Sequence, residues 1–282
     1  MRKKIYGLLI VLSMLILAVG CSTDSSKDAQ APSEVSTDKN ELKGLRVVTT
    51  EGQEPIVQEA KKYFEDHGYT FDVKFVEMNV MVPESISDGS ADLGMGVHLK
   101  FMEKYNQENN GKAAMAEPYP WYSGLGLFSQ KYDNYEDIPD GGQIAVMSDA
   151  MNQDRGLRML EAAGLIKLES NGDSEDTQYG LTDIKENPHN YDFIEMDQTQ
   201  TVRAMEDVDA SICFYTHIIN SGGNVDEVIL ADTEGVKYPS GFVLHEDLKG
   251  SELEKIAAES LLTDSMREFV EEYYQGAYTF LD

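Results

Sequence analysis

The residues best placed to do chemistry lie in the run Ser148-Asp149-Ala150-Met151-Asn152-Gln153-Asp154-Arg155. Ser148 and Asp149 are helix-capping types, so Asn152 and Arg155 fall in the first turns of a helix, three residues apart on one face. A cation there opposes the helix macrodipole and gains nothing locally. A ligand would give it a purpose: backbone N–H groups at a helix start, the Asn152 amide and the Arg155 guanidinium together make a receptor for a carboxylate. The competing reading is a solvated arginine beside Asp154, the commoner fate of that residue type. Machinery for breaking bonds is not visible. The five histidines, at 67, 98, 189, 217 and 245, are scattered, and there is no H-E-x-x-H pair, G-x-S-x-G elbow or phosphate-binding glycine loop. Among 51 acidic residues, carboxylate pairs arise by chance. The expected chemistry is binding rather than catalysis, with no metal and no cofactor.

The elements that would position these groups follow from periodicity. Ile144–Met147 is a short apolar run between Gly141-Gly142 and Ser148-Asp149, a buried strand. Leu157, Leu160 and Ala163 continue the helix behind Arg155, and Gly164 supplies a left-handed stop. Earlier, Leu45–Thr50 reads as a strand, Pro55–His67 as a helix ended by Gly68, and Phe71–Val76 as a second strand. Together they predict a right-handed crossover on a parallel sheet. A short helix from Pro83 and a turn at Asp88-Gly89 lead to a third strand, Ala91–Met95. His98 and Phe101 follow its carboxyl end, where ligands of parallel sheets bind. Glu117–Ser129 carries the only tryptophan. Trp121 and Tyr122 could cap a small-molecule cleft with rigid aromatic surface, or simply pack. Further on, Glu169–Gln178 reads as a polar loop, Gln200–Glu206 as a short helix, and Ala210–Phe214 and Val228–Ala231 as strands. Tyr238–Leu244 is a strand broken by Pro239 and Gly241. Two closing helices are expected over Ser251–Leu262 and from Thr263 to Gly276.

The N-terminus has a different character. Arg2, Lys3 and Lys4 precede an apolar run, Ile5–Val19, that ends in Leu17-Ala18-Val19-Gly20-Cys21. It is shorter than the roughly 20 residues of a membrane span and reads as a signal peptide, residues 1–20, with a lipobox-like end. Cys21 would then carry the lipid, palmitate included. Residues 21–41 lack the apolar content for a core and predict a flexible tether, with a reach on the order of 25 Å. Removing three basic residues from 23 leaves 20 against 51 acidic ones, a formal charge of −31. Nucleic acid and anionic headgroups are disfavoured as partners. An anionic ligand must be attracted by local groups. Cys213 is the one remaining cysteine, so no internal disulfide is expected. The chain that remains exceeds a single-core domain, which favours two lobes.

Four segments carry a resemblance. IPDGGQIAVMSDAMNQDRGLRMLEAAGLIKL (138–168), DGSADLGMGVHLKFMEKYN (88–106), LTDIKENPHNYDFIEMDQTQTVRAMEDVDASICF (181–214) and DSMREFVEEYYQGAY (264–278) resemble the NlpA/MetQ-type methionine-binding lipoproteins, the substrate-binding proteins of ABC importers. The resemblance implies an α/β, two-lobed periplasmic-binding-protein fold, type II-like, with a hinge and an interlobe cleft. Lobe one is expected at 42–127 plus 236–282 and lobe two at 128–235. It implies that Arg155 pairs with the ligand carboxylate, Asn152 assists, His98 falls on the family histidine, and Phe101 falls on an aromatic lining the ligand side chain. Trp121 and Tyr122 would complete the side-chain pocket.

Several family positions are altered. Met95 and Gly96 stand where the family has a Tyr-Phe pair, and a His-x-Glu-Pro before Trp121 is missing. An asparagine after the Ala210–Phe214 strand is gone, with Tyr215, Thr216 and His217 as possible substitutes and Tyr215 counted among the expected contacts. The implied protein is a monomeric, lipid-anchored solute-binding protein on the extracytoplasmic face of the cell membrane. It would deliver methionine or a relative to an ABC permease. The eroded pocket keeps two alternatives in view: another solute, such as a short peptide or pyrimidine-like precursor, or an adhesive or sensory lipoprotein that does not transport. Arg155→Ala is expected to abolish carboxylate-dependent binding and leave the fold intact.

Overall fold

Alternating apolar runs and capped amphipathic segments produce the expected succession of strands and helices. It is seen here in a computed structural model that describes residues 42–169 and 177–281. The expected signal peptide, Cys21 and tether lie outside the described residues, as does most of the expected loop between Glu169 and Gln178. In chain order the first half holds β1 (Lys43–Thr49), α1 (Glu54–Asp66), β2 (Tyr69–Phe75), α2 (Met81–Ser87), β3 (Leu93–Met95), α3 (Leu99–Asn109) and β4 (Ala113–Met115). The crossing segment follows with β5 (Trp121–Ser123) and β6 (Leu125–Phe128). Next come β7 (Gln143–Met147), α4 (Ala150–Ala162), β8 (Lys167–Leu168), β9 (Ile184–Glu186), β10 (Asp192–Met196), α5 (Thr201–Ala204), β11 (Ala210–Phe214), α6 (Tyr215–Asn220) and β12 (Val228–Ala231). The chain closes with β13 (Pro239–Ser240), β14 (Val243–His245), α7 (Glu252–Ser260), α8 (Asp264–Tyr274) and β15 (Tyr278–Phe280).

Two five-stranded sheets organise these elements, in the orders β2-β1-β3-β14-β4 and β10-β7-β11-β6-β12. In the first, β1 runs parallel to β2 and β3, and in the second β7 runs parallel to β10 and β11. The strands returned from the other half, β14 and β6, add antiparallel. A small sheet, β13-β5-β15, ties together the crossing segments and the C-terminus, and β8 pairs with β9 in a two-stranded ribbon. This is the α/β, two-lobed architecture the sequence implies.

The change of sheet falls at Gly124. Trp121–Ser123 pairs in the small sheet, and Leu125 already pairs with Phe214 in the second. A division at 127 would therefore cut β6. Glycine is required at this crossing because a Cβ on residue 124 would stand 2.4 Å from the Tyr215 ring. One apolar cluster fills lobe two around Leu125, Ile144, Leu157 and Ile212, and another fills one face of lobe one around Val48, Val82, Ile86 and Val243. The largest joins Phe64, Trp121 and Tyr274 to Phe128, Cys213 and Ile218, so side chains of both sheets share it.

Local chemistry explains the ends of the elements. Asp149, Ser251 and Thr263 cap α4, α7 and α8 by accepting from the N–H groups of Asn152, Glu254 and Met266. The expected strand over Tyr238–Leu244 is two pieces, β13 and β14, because Pro239 and Gly241 interrupt the ladder. The expected helix over Gln200–Glu206 shrinks to the four residues of α5. No helix of the described residues is long and apolar enough to cross a membrane.

Candidate functional site

The carboxyl ends of β1, β2, β3 and β11, the loop after β10 and the first turns of α4 line one cleft of about 1340 Å³, larger than a typical small-molecule pocket of roughly 300–1,000 Å³. Its walls include His98, Phe101, Trp121, Asn152 and Arg155 from the expected set, together with Phe214, Thr216, His217, Tyr238 and Ser240. A smaller cavity of about 510 Å³ lies between α3 and α4, and Arg155 and Tyr238 line that one too.

Arg155 is not a solvated surface residue: it is 2% exposed. The cap at Asp149 starts α4 so that its second turn enters the interior, and Gly156 allows this turn to press onto Ile212, 2.9 Å from where a Cβ would stand. The guanidinium is then held on several sides. Nε donates to Asp232 Oδ2 at 2.7 Å, and Nη2 donates to the Ser123 carbonyl at 3.1 Å. Cζ lies 4.3 Å from the Tyr238 ring centroid and 5.6 Å from that of Phe214. The Asp232 side chain is itself buried, and its Oδ1 accepts from the Glu234 N–H. Burial pushes the Tyr238 phenol up to about 12, so that ring stays neutral against the cation. Nη1 has no hydrogen-bond partner among the described residues, and no buried side-chain nitrogen or oxygen among them lacks one, so Nη1 keeps access to open space. The pair contributes no net charge. It offers an oriented donor rather than an uncompensated cation.

His98 and Asn152 form a link between the lobes. His98 Nδ1 accepts from the Phe101 N–H and so caps α3, and Nε2 lies 3.1 Å from Asn152 Oδ1. With Nδ1 accepting, the proton sits on Nε2 and is donated across the cleft. Both ring nitrogens are used. Burial, reinforced by the Arg155 charge, lowers the His98 pKa from 6.5 to about 3, which keeps the ring neutral. Asn152 Nδ2 donates to Asp149 Oδ2 at 3.0 Å. The Asp149 carboxyl is raised from its ordinary value by burial, in spite of that bond. Tyr238 stacks edge-on to His98 at 5.1 Å, completing a corner in which Arg155, Asn152, His98 and Tyr238 hold one another.

The aromatic expectations divide. Trp121 lines the cleft but is 1% exposed, packed on Tyr278 and Phe280. Phe101 borders the cleft edge-on to His98. Tyr122 and Tyr215 are not among the lining residues. The alternation of β5 turns Tyr122 onto Gly235, where a Cβ would lie 2.4 Å from its ring, and Tyr215 packs over Gly124, Gly126 and Phe128. Of the three candidates after β11, it is Thr216 and His217 that reach the cleft. The one available signal was position: β11 ends at Phe214, and the next residues begin α6 at the carboxyl edge of the sheet.

His217 differs from His98. Its Nδ1 lies 3.2 Å from the Gln198 carbonyl oxygen, so Nδ1 carries the proton. Burial lowers its pKa below the usual histidine value, leaving the ring neutral. Met95 and Gly96 also line the cleft. Gly96 has φ +133°, and a Cβ there would meet Thr50 Oγ1 at 2.8 Å, so this backbone excludes a larger side chain. Among the described residues no cluster of His, Cys, Asp and Glu is arranged to hold a metal ion.

Two α/β lobes, joined by crossing strands over a cleft at their strand ends, define a solute-binding protein of the two-lobed class. The chain belongs to the NlpA lipoprotein family, whose model matches residues 45–280. It is 28% identical over 232 residues to the methionine-binding lipoprotein MetQ of Bacillus subtilis, covering 79% of this chain and 82% of that protein. It is 26% identical over 264 residues to the D-methionine-binding lipoprotein MetQ of Escherichia coli K12, covering 92% and 90%. Among solved structures, it superposes on the substrate-binding protein of a methionine transporter from Streptococcus pneumoniae with a TM-score of 0.76 at 25% identity, covering 85% of this chain and 96% of that one. A nutrient-binding protein from Burkholderia cenocepacia, bound to methionine, shares the fold with a TM-score of 0.79 at 22% identity, over 84% of this chain and all of that one.

Proposed function

We propose that the protein is the lipid-anchored solute-binding component of an ABC importer, and that its cleft captures a free amino acid, methionine or a close relative. The observation that carries this reading is the Arg155 corner. A guanidinium is fixed by Asp232, Ser123 and Tyr238 and keeps one donor, Nη1, for a ligand. The ligand carboxylate takes that donor. Because Asp232 already balances Arg155, and the chain carries a formal charge of −28 before any processing, a net anion meets no local excess of positive charge. An amino-acid zwitterion is neutral overall and avoids that repulsion. Phe101, Phe214 and Met95 supply apolar surface for the side chain. The names of the relatives, two methionine-binding lipoproteins and the substrate-binding protein of a methionine transporter, point to the same solute.

Closing the two lobes on the solute requires only hinge motion at the crossing segments. The reaction class is capture and release, with no bond made or broken. Cys21 is the lipid attachment point, the membrane surface is the location, and the functional unit is one chain presenting solute to a permease. The division between the lobes is at Gly124 and within 232–238.

Thermal unfolding across a panel of free amino acids tests the reading. A solute at 100 times its Kd stabilises by about 2.7 kcal/mol, and methionine is expected to give the largest rise in Tm. A flat response to every amino acid would refute it.

A further inference from the structure

We propose that His217 makes the cleft selective for a free amine: its Nε2 lone pair accepts a hydrogen bond from the ligand ammonium while Arg155 holds the carboxylate. This assignment rests on the amino-acid reading above and goes further, to a residue and an atom.

Three observations carry it. His217 borders the cleft, its Nδ1–H is committed to the Gln198 carbonyl, and Nε2 has no partner among the described residues. A neutral imidazole with one nitrogen donating has an acceptor at the other. Because no buried side-chain nitrogen or oxygen among the described residues lacks a partner, that acceptor is reached from open space, and the cleft is the space His217 borders. Second, Phe214 touches both stations: its ring is 5.6 Å from the Arg155 guanidinium and 5.8 Å from the His217 ring. A donor and an acceptor that border one cleft and touch one phenyl ring suit the carboxylate and ammonium that an amino acid carries on a single carbon. Third, the other cleft histidine cannot do this, because His98 spends one nitrogen on Phe101 and the other on Asn152. Neutral His217 is the right species for an ammonium. A protonated ring would repel it, and burial disfavours that form.

The test compares two ligands and three proteins by calorimetry on the full chain. The ligands are L-methionine and 4-(methylsulfanyl)butanoate, which keeps the carboxylate and thioether and lacks the amine. Wild type is expected to prefer methionine by roughly ten- to a hundredfold, the worth of one hydrogen bond to a charged group. His217→Phe keeps a ring of similar shape, and it should lose most of that preference by weakening methionine alone. His217→Gln retains an amide acceptor and should recover part of it, which also guards against a Phe variant that folds poorly. If wild type binds methionine and His217→Phe keeps both the affinity and the preference, the assignment to His217 is overturned while the importer reading stands. If wild type binds no free amino acid, both fall.

Discussion

Two regions of the same cleft use the same kinds of groups to opposite ends. In the corner built by α4, α3 and the 232–238 crossing, nearly every polar atom is taken: Arg155 by Asp232 and Ser123, His98 by Phe101 and Asn152, Asn152 by Asp149. At the start of α6, His217 is tied at one nitrogen and has no partner at the other among the described residues. A saturated network fixes geometry and resists exchange of partners, because a buried group that loses its partner bears the full desolvation cost. An unsaturated one has something left to offer a guest. The corner therefore fixes one wall of the cleft and presents Nη1 of Arg155 from it, and on the proposed role of His217 the α6 edge sets what the guest must carry.

The largest effect is expected from Arg155→Ala. It leaves Asp232 buried without its cation, so the variant is expected to lose about 3–5 kcal/mol of stability, read by urea unfolding. The expectation that the fold survives this substitution untouched is thus corrected by the burial of the pair. Arg155→Met combined with Asp232→Leu should recover most of the stability and none of the methionine binding. Restored stability together with restored binding would remove Arg155 from ligand recognition.

Next in size is Gly96→Phe, which restores an aromatic found at this position in the resembling family. The positive φ and the contact with Thr50 make it cost about 3 kcal/mol, seen as a lower Tm. An unchanged Tm would mean that the β3 end can rearrange to rebuild the family wall.

A pH titration probes the link between the lobes. His98 has a folded-state pKa of about 3, below its ordinary 6.5. Above pH 6.5 both states are neutral and the contribution is fully present. As pH falls from 6.5 toward 3, the unfolded chain takes up a proton that the folded one refuses, and stability declines by up to about 1.4 kcal/mol per pH unit. At pH 5 the loss is roughly 2 kcal/mol. Asp149, raised by burial, titrates in the opposing sense. His98→Gln should flatten the slope between pH 6.5 and 5, and an unaltered slope would assign the acid sensitivity elsewhere.

The smallest effects are expected at Tyr122 and Tyr215, whose rings lie on glycines outside the cleft. Phenylalanine at either position should leave ligand affinity within about twofold and stability within about 0.5 kcal/mol. A large loss of affinity at Tyr215 would return it to the site.

Periodicity and turn chemistry are local properties, and they were sufficient for most of the architecture. The Ile144–Met147 run, the cap at Asp149, the parallel crossover through Pro55–His67 and the capped helices at Ser251 and Thr263 are all readable without a neighbour in space. So was the position of Arg155, Asn152 and His98 at strand and helix ends, from which all three come to line one cleft. What those residues do could not be read, because their partners come from far along the chain: Asp232 lies 77 residues from Arg155, and His98 lies 54 from Asn152. The same holds for the choice among Tyr215, Thr216 and His217. Tyr215 packs onto Gly124 and Gly126 while Thr216 and His217 line the cleft, a division set by glycines about 90 residues earlier in the chain. Local sequence determines which elements form, because their hydrogen bonds and caps close within a few residues. Tertiary structure decides which polar atoms remain open to a ligand, because that depends on every group the fold brings beside them.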